Sequence, residues 1–485
     1  MCPVVFSSII FLFMFLPVTL FIYVIVGRRL RNYFLLFASL VFYAWGETVY
    51  VLIMLLSIVA NYVAGLTIDY FKDRPQARLF LGLAVAFNIG LLSVFKYANF
   101  IVDNLNILLG SFELPTVALQ PVHLPIGISF FTFQAMSYVI DIYRRDAVVQ
   151  RNPANIGLYI ALFPQLIAGP IVRFHDIAAQ ITHRYIRFQD FGEGVERFII
   201  GLGKKVLIAN QVAVISDQVF ALKTGALSPG IAWLGVLCYT LQIYFDFSGY
   251  SDMAIGLGRM FGFRFLENFN YPYISKSVRE FWRRWHISLS SWFRDYLYVP
   301  LGGSRHGNLR TYFNLLTVFF LCGLWHGASW NFVVWGLLHG FFLVIERLGF
   351  EKILIRLWAP LRHFYLLFVV MIAWVFFRVD TTEAALGYLA VMFGQAKGGT
   401  TPVALMQIGR DAQTAIIAGI IFSAPIFSWL NRLRPSVLSN RQRKMSMVFD
   451  GTASAVKTVG LSLILYVSIL FISSGAYNPF IYFRF

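Results

Sequence analysis

Charged side chains are scarce in this chain, and acidic ones are the scarcest. Only 13% of the 485 residues are charged, with 23 Asp and Glu against 40 Lys and Arg. A soluble globular domain carries about 25% charged residues. The shortage excludes an ordinary soluble protein. Together with a mean hydropathy of +0.69, it indicates an integral membrane protein.

Cysteine and the common hydrolase motifs are also scarce or absent. The three cysteines, Cys2, Cys238 and Cys322, lie in apolar sequence without CxxC spacing, which favours packing roles over a metal or redox site. The chain has no GxSxG, HExxH or Walker motif, and no GxGxxG between a strand and a helix. Serine, zinc and nucleotide hydrolysis therefore lack their usual sequence elements.

The formal net charge of +17 implies no nucleic-acid partner. Most basic residues fall in short loops between apolar runs, where the positive-inside rule and anionic membrane lipid already account for them. A spanning helix needs about 20 mostly apolar residues, and the chain has room for roughly ten. The sequence predicts an all-α polytopic membrane protein with one domain over residues 1–485.

The basic loops predict a topology for the first half of the chain. The apolar run 4–26 is followed directly by GRRLR at 27–31, which indicates a retained first helix with its N-terminus outside. Residues 33–71 predict a helical hairpin that turns at 45–50. A further pair of helices, at about 79–97 and 122–142, would return the chain to the cytoplasm.

Two later runs are short or interrupted. Pro164, Gly169 and Pro170 break residues 156–172, and Lys204 and Lys205 interrupt residues 195–220. Both runs predict re-entrant segments, which membranes tolerate where they line a cavity within the protein.

His326 lies within a long apolar segment that has no other group able to ionise at neutral pH near it. No Asp, Glu, Lys or Arg occurs between Arg310 and Glu346. A buried polar side chain there is costly and usually faces a cavity or functional site, although a hydrogen bond to a helix carbonyl is the alternative. Small residues surround it, and as one helix the run of 35 residues would be about 52 Å long, so we expect a break. His339, thirteen residues on, would lie on another helix face and is not expected to form a ligand pair with His326.

A basic and aromatic block occupies residues 276–310. It contains seven Lys or Arg against two acids, interleaved with tryptophan, phenylalanine and tyrosine, and it includes His286. The block fits an interfacial helix against lipid headgroups, or a cytoplasmic vestibule for a phosphate-bearing acyl donor, and these interpretations are compatible. A neutral imidazole in a site of low dielectric can take a proton from a hydroxyl that attacks an acyl carbonyl. That chemistry is O-acyl transfer.

Four stretches carry a resemblance to a known family. They are FPQLIAGPIVRF (163–174), YFDFSGYSDMAIGLGRMFG (244–262), residues 268–305 with the block REFWRRWHISLSSWFRDYLY, and LCGLWHGASWNFVVWGLLHG (321–340). They resemble the membrane-bound O-acyltransferase family, in its branch that acetylates alginate, peptidoglycan and cellulose. The similarity extends along the whole chain.

The resemblance implies a fold and a set of site residues. Family members have transmembrane helices and re-entrant segments around a central funnel, with a cytoplasmic donor and a periplasmic acceptor. His326 would be the catalytic histidine, and His286 would be the second site residue. The donor, acetyl-coenzyme A, would meet Arg283, Arg284 and Trp285. No metal and no permanently bound cofactor is implied. Polar residues of the DFSGYSD stretch, Asp246 to Asp252, would pack helices or line the funnel.

The resemblance also extends to the tail NPFIYFRF (478–485). An aromatic anchor at the membrane exit explains it on composition alone. The tail resembles the end of a companion peptide used in teichoic acid D-alanylation, which would make Tyr482 an acyl carrier.

The same resemblance implies a bacterial inner-membrane location, with a periplasmic esterase-like acetyltransferase and a polysaccharide-synthesis complex as partners. Alginate-type exopolysaccharide is the favoured acceptor, with peptidoglycan or cellulose as alternatives. A transporter or channel would also have broken helices and a buried histidine, and a non-catalytic scaffold would leave His326 replaceable. Neither explains the block that surrounds His286.

Overall fold

The computed structural model describes residues 5–395, 408–426, 440–475, 477–479 and 481. Within these ranges the chain is helical and contains no strand, as the sequence predicts. The helices are α1 Phe11–Ile25, α2 Arg31–Gly46, α3 Val51–Tyr70, α4 Gln76–Ser111, α5 Ile128–Arg144, α6 Pro153–Ala161, α7 Phe163–Leu166, α8 Phe174–Thr182, α9 Phe188–Phe220, α10 Pro229–Met260, α11 Val278–Trp282, α12 Ile287–Phe293, α13 Gly307–His326, α14 Trp330–Ile345, α15 Ala359–Arg378, α16 Thr382–Met392, α17 Arg410–Phe422 and α18 Asn440–Ser473.

Seven helices in the described part of the chain are long and apolar enough to cross a membrane. They begin at Val51, Gln76, Phe188, Pro229, Trp330, Ala359 and Ser454, and shorter apolar helices occur at Phe11–Ile25 and Thr382–Met392. The polytopic membrane fold is therefore confirmed. The predicted hairpin is confirmed as well, because α2 ends at Gly46 and α3 begins at Val51.

Helix α10 forms the centre of the protein. In the most apolar stretch of α10, 78% of the residues are buried inside the protein, compared with 6% in Ser454–Ser473. Its contact with α9 depends on glycines spaced by seven residues on both helices. A Cβ atom at Gly201 would lie 2.5 Å from the carbonyl oxygen of Gly249, and one at Gly256 would lie 2.6 Å from that of Gly194. Small residues allow the two backbones to touch, as is common between membrane helices.

The apolar run around His326 is broken, as expected. Helix α13 ends at His326 and α14 begins at Trp330, so the two form a tight hairpin. A Cβ atom at Gly323 would lie 2.2 Å from the carbonyl oxygen of Phe332, and one at Gly336 would lie 2.2 Å from that of Phe319. Glycine at both positions is thus required for this packing.

The two interrupted runs differ from each other. Residues 156–172 are divided into short buried helices, α6 and α7, followed by irregular chain, which agrees with the prediction of a broken segment. The prediction for 195–220 was wrong, because α9 is continuous from Phe188 to Phe220. Lys204 and Lys205 do not interrupt it, since both pair with carboxylates of α10, at 2.6 Å to Asp252 and 2.7 Å to Asp246.

Polar side chains set where several of the buried helices begin. Ser277, Ser329 and Thr381 accept hydrogen bonds from backbone N–H groups at the starts of α11, α14 and α16. Such N-caps satisfy donors that the helix itself leaves unpaired, which matters most where no water is present.

Candidate active site

His326 is the last residue of α13, at the break in the apolar run. Gly327 follows in an extended conformation, and a Cβ atom there would lie 2.2 Å from the ring of Phe332. Ser329 then begins α14 by accepting a hydrogen bond from the backbone N–H of Asn331. The imidazole is consequently held at a helix end, where it is only 3% exposed.

Aromatic rings enclose the His326 imidazole. The ring centroids of Trp335, Trp325 and Phe377 lie 4.9, 5.0 and 5.2 Å from it. Within the described residues, neither ring nitrogen has a hydrogen-bond partner. Buried polar atoms are usually paired, and those that are not concentrate at functional sites. A neutral imidazole here offers one donor and one acceptor to a molecule that enters the site.

His286 lies immediately before α12 and has a left-handed backbone conformation, with φ 44° and ψ 52°. This region is strained for a residue with a side chain, by about 1–3 kcal/mol, and such strain often marks functional sites. Asn268 holds the imidazole. Its side-chain oxygen lies 3.2 Å from Nδ1 of His286 and also accepts hydrogen bonds from the backbone N–H and hydroxyl of Ser288. Because that oxygen is an acceptor, Nδ1 carries the proton and Nε2 is left to accept one.

The structure brings the two predicted histidines together. Their ring centroids lie 6.4 Å apart, although forty residues separate them in the sequence. The ring of Trp325 contacts both, with its centroid 5.0 Å from that of His326 and 6.0 Å from that of His286, and the ring of Phe247 on α10 lies 4.6 Å from that of His286. A reactant beside the rings meets an acceptor at Nε2 of His286 and one donor and one acceptor at His326, and a positioned base of this kind suits acyl transfer.

Lys96 is a site residue that the sequence analysis missed. It lies in a π-helical turn of α4, Ser93–Tyr97, and is buried. Its Nζ donates hydrogen bonds to the carbonyl oxygen of Trp325 and, at 3.0 Å, to the hydroxyl of Ser129. The next residue, Tyr97, donates to the carbonyl oxygen of Leu324 at 2.7 Å. A lone lysine within an apolar span was the available signal, because such residues usually serve a function.

Lys96 brings its amino group to the end of α13, where it carries a positive charge when protonated. The last carbonyls of a helix lack partners within the helix and carry partial negative charge, so a cation there is favourable. Lys96 has no carboxylate partner among the described residues, and its charge is therefore not cancelled locally. The backbone that carries His326 is held by this lysine and by Tyr97.

The three residues predicted to bind the donor occupy different surroundings. Arg283 is exposed and makes no ion pair within the described ranges. Arg284 is held by Glu280 at 3.0 Å and by the backbone of Asn270. Trp285 is 2% exposed and packs among other aromatic rings. Only Arg283 presents its charge freely at the surface.

Asp246 and Asp252 of α10 make different contacts. Asp252 accepts from Arg197 and Lys204, which confirms the helix-packing role predicted for it. Asp246 pairs with Lys205 and also accepts a hydrogen bond from the backbone N–H of Ile481, at 3.1 Å. Tyr482 lies outside the described residues, but the residue before it is therefore bound to the central helix.

His339 is the other fully buried histidine, on α14. Its ring centroid lies 5.1 Å from that of Trp335, whose ring also contacts His326. The two histidines lie on separate helices, and the ring of Trp335 contacts both. Among the described residues, no group of three or more metal-ligating side chains occurs.

A polar cluster joins α8 to the basic block. Arg173 forms ion pairs with Asp176 at 2.8 Å and with Asp295 at 2.5 Å. His175 contacts Asp141 at 2.9 Å, and this hydrogen bond raises the pKa of His175. Asp141 also accepts a hydrogen bond from Tyr296, at 2.6 Å. These contacts hold the segment after His286 against α5.

Comparison with known proteins agrees with this geometry. The profile of the membrane-bound O-acyltransferase family matches residues 126–381, more than half of the chain, and this range includes both His286 and His326. The chain belongs to this family. It is an O-acyltransferase and a multi-pass membrane protein.

Several curated relatives match nearly the full length. The chain is 43% identical to a probable alginate O-acetylase of Pseudomonas putida over 489 residues, covering 99% of the chain and 100% of the relative. It is 41% identical to that of Pseudomonas aeruginosa, with the same coverage. It is also 34% identical to a peptidoglycan O-acetyltransferase of Helicobacter pylori, covering 99% of the chain and 97% of the relative.

Proposed function

We propose that this protein takes acetyl groups from a cytoplasmic donor and passes them across the bacterial inner membrane, where they O-acetylate an envelope or extracellular polysaccharide. The observation that carries the proposal is the pair of buried histidines, whose ring centroids lie 6.4 Å apart in an apolar enclosure. Among the described residues, Nε2 of His286 and both ring nitrogens of His326 have no hydrogen-bond partner. Alginate-type exopolysaccharide is the favoured acceptor, because relatives named as alginate O-acetylases are 41–43% identical over nearly the whole chain.

In this proposal His326 is the general base. One nitrogen of its neutral imidazole takes the proton of the attacking hydroxyl while the hydroxyl oxygen bonds to the acetyl carbon. The thioester C–S bond then breaks, and the imidazolium returns the proton to the departing thiolate. His286, whose ring is held at Nδ1 by Asn268, orients the acyl group against the attacking hydroxyl. The charge of Lys96 favours the negative intermediate, since electrostatic stabilisation is strong where water is excluded.

Acetyl-coenzyme A is the proposed donor. The exposed guanidinium of Arg283 and the neighbouring Arg284 suit its phosphates, because arginine binds phosphate through paired N–H donors. The proposed partners, a periplasmic esterase-like acetyltransferase and a polysaccharide-synthesis complex, would consume the acetyl groups. Membrane lipid covers the apolar surface.

The tail is proposed as a carrier between donor and acceptor. The phenol of Tyr482 would take the acetyl group and later give it up to a hydroxyl of the periplasmic transferase. A phenol has a pKa near 10, so its ester is a better acyl donor than an alkyl ester. The binding of Ile481 to α10 supports this proposal, because Tyr482 follows Ile481 directly in the chain.

Peptidoglycan is the second candidate acceptor, favoured by the relative of Helicobacter pylori. The chemistry at the histidines would be the same. Mass spectrometry of both polymers from cells that produce or lack this protein separates the two, since only the true acceptor loses acetyl groups.

The proposal is tested with purified protein in liposomes, supplied with labelled acetyl-coenzyme A, and in cells by the acetyl content of the polymer. His326→Ala is expected to lower transfer about 100- to 10,000-fold, the range for a positioned acid-base group. His286→Ala is also expected to lower transfer strongly, but by less than His326→Ala. His339→Ala is the matched control, because it also removes a buried imidazole beside Trp335 and should retain activity.

The same assay tests the carrier and the donor site. Tyr482→Phe keeps the aromatic ring but removes the nucleophile, so we expect labelled protein and acetylated polymer both to disappear. Neutralising Arg283 and Arg284 should weaken donor binding. Normal acetylation by His326→Ala would refute the catalytic assignment, and transport of a solute by that variant would favour a transporter instead.

A further inference from the structure

The last described residues of the chain run from the surface into the interior along α9. The hydroxyl of Tyr477 donates to Asp217 at 2.6 Å, and the side-chain oxygen of Asn478 accepts from Asn210 at 3.0 Å. The carbonyl oxygen of Pro479 then accepts from Lys205. From Asp217 to Lys205 these contacts cover twelve positions of α9, which is about 18 Å along a helix.

Burial changes in the same direction. Tyr477 is 51% exposed and Ile481 only 7% exposed. Asn478 also bonds to Ser7 near the start of the chain, at 3.2 Å to its hydroxyl. The segment is thus an inserted strip of polypeptide, and its deepest described residue contacts the central helix.

Two contacts at the deep end involve main-chain atoms. A buried carbonyl or N–H group needs a partner, and residues 477–479 lie outside any helix that would supply one. Lys205 supplies a donor for the carbonyl oxygen of Pro479, and Asp246 supplies an acceptor for the N–H of Ile481. Lys205 and Asp246 are themselves an ion pair at 2.7 Å and are 3% and 2% exposed.

Stability alone does not explain this ion pair. Replacing a buried pair by apolar side chains is often neutral or stabilising, so such a pair is weak evidence for a structural role. Here the ammonium group of Lys205 donates to the carbonyl oxygen of Pro479, and the carboxylate of Asp246 accepts from the N–H of Ile481. Asp246 is also followed on α10 by Phe247, whose ring lies 4.6 Å from that of His286.

We infer that the buried Lys205–Asp246 pair is a positioning site that binds the main chain of the C-terminal segment at Pro479 and Ile481 and holds Ile481 on α10, the helix whose Phe247 contacts His286. Lys205 and Asp246 act through the tail and do not touch the reacting groups. That the held segment carries the acyl group rests on the proposed function.

The binding of the tail is tested by the reactivity of a thiol within it. Ile481→Cys is made in the full-length chain with Cys2, Cys238 and Cys322 changed to alanine. Its rate of reaction with a small methanethiosulfonate in purified protein is followed by mass spectrometry. The buried position predicts slow labelling. Lys205→Met with Asp246→Leu removes both charges together, and we expect labelling at least about tenfold faster as the segment opens locally.

Lys204→Met is the matched control. Lys204 neighbours Lys205 on α9 but pairs with Asp252, which keeps Arg197 as a partner, and neither Lys204 nor Asp252 bonds to the described tail residues. Its labelling rate should equal that of the parent. If the double variant does not fold, Asn210→Ala removes a neutral contact to the tail and should give a smaller increase.

The two hypotheses fail in different ways. An unchanged labelling rate in the double variant, or in Asn210→Ala when the double variant does not fold, would overturn the positioning site, whatever its acetylation activity. Faster labelling with normal polymer acetylation would leave the site in place and reject the tail as an acyl carrier. Faster labelling together with lost acetylation, in a protein that still binds acetyl-coenzyme A, is the expected result.

Discussion

Two buried lysines occupy similar backbone positions but have different partners. Lys96 and Lys205 each lie in a π-helical turn of an apolar helix, Ser93–Tyr97 and Lys204–Ala209. Both are nearly inaccessible, at 7% and 2%. Lys205 faces the carboxylate of Asp246 at 2.7 Å, whereas Lys96 faces a carbonyl and a hydroxyl.

The difference separates two uses of a buried charge. The Lys205–Asp246 pair is neutral overall, so it adds little net field and serves as a polar clamp for other groups. When protonated, Lys96 leaves a net positive charge at the end of the helix that carries His326. A positive charge in a site of low dielectric stabilises anionic intermediates strongly. The π-helical turns fit this interpretation, because such turns often occur at functional sites.

The largest effect on the rate of acetyl transfer is expected at Lys96, which has no carboxylate partner among the described residues. Lys96→Met should lower the rate of acetyl transfer about 100-fold, through kcat more than KM, since an electrostatic contribution of this kind acts mainly in the transition state. The protein should still insert in the membrane, because methionine fits an apolar site. Kinetics with labelled acetyl-coenzyme A in liposomes measure the change.

Tyr97→Phe is the control for this prediction. It removes the neighbouring hydrogen bond to the end of α13 but no charge, so the rate should fall by much less. Equal losses in the two variants would mean that Lys96 only holds the backbone. A normal rate in Lys96→Met would show that the charge of Lys96 does not contribute to catalysis.

At the paired lysine the expected effect concerns stability and not the rate of transfer. Asp246→Asn leaves Lys205 as a buried charge without a carboxylate, and breaking such pairs typically costs about 3–5 kcal/mol. The double variant Lys205→Met with Asp246→Leu removes both charges and should recover much of the lost stability. Thermal unfolding in detergent measures both. A double variant less stable than the single one would show that the pair itself stabilises the fold.

The smallest effect is expected at Lys204. Its ion pair with Asp252 is partly exposed, at 26% for the lysine side chain, and Arg197 remains to pair with the same carboxylate. Lys204→Met should therefore change stability by about 1 kcal/mol or less. Thermal unfolding in detergent is measured for Lys204→Met and for Asp246→Asn, and their losses of stability are compared. A large loss would mean that burial does not distinguish the two neighbouring lysines.

Much of the fold follows from local sequence. The hairpin of α2 and α3 was predictable from apolar length and turn position, and the break at His326 from small residues in an overlong run. The continuity of α9 was not predictable in the same way. Lysine usually argues against a buried helix, and only the acids on α10 reverse that argument.

The sequence singled out the two histidines that the structure brings together, but it did not predict much of their surroundings. His326 and His286 were singled out by an apolar context and by family resemblance. Asn268 and Lys96 come from other segments, and no spacing links them to either histidine. Their roles depend on which backbone atoms lie within hydrogen-bond distance after the helices pack.

The amino-acid sequence by itself determined that this protein is a polytopic membrane acyltransferase, because hydropathy and distinctive motifs are local properties of the chain. Only the tertiary structure decided which buried charges are cancelled and which are not. It also decided where Ile481 is bound. Both depend on residues that are distant in the sequence, such as Lys205 with Asp246, which are 41 positions apart, and Asp246 with Ile481, which are 235 positions apart. Such pairs form only when close helix packing brings their polar atoms together in a region without water.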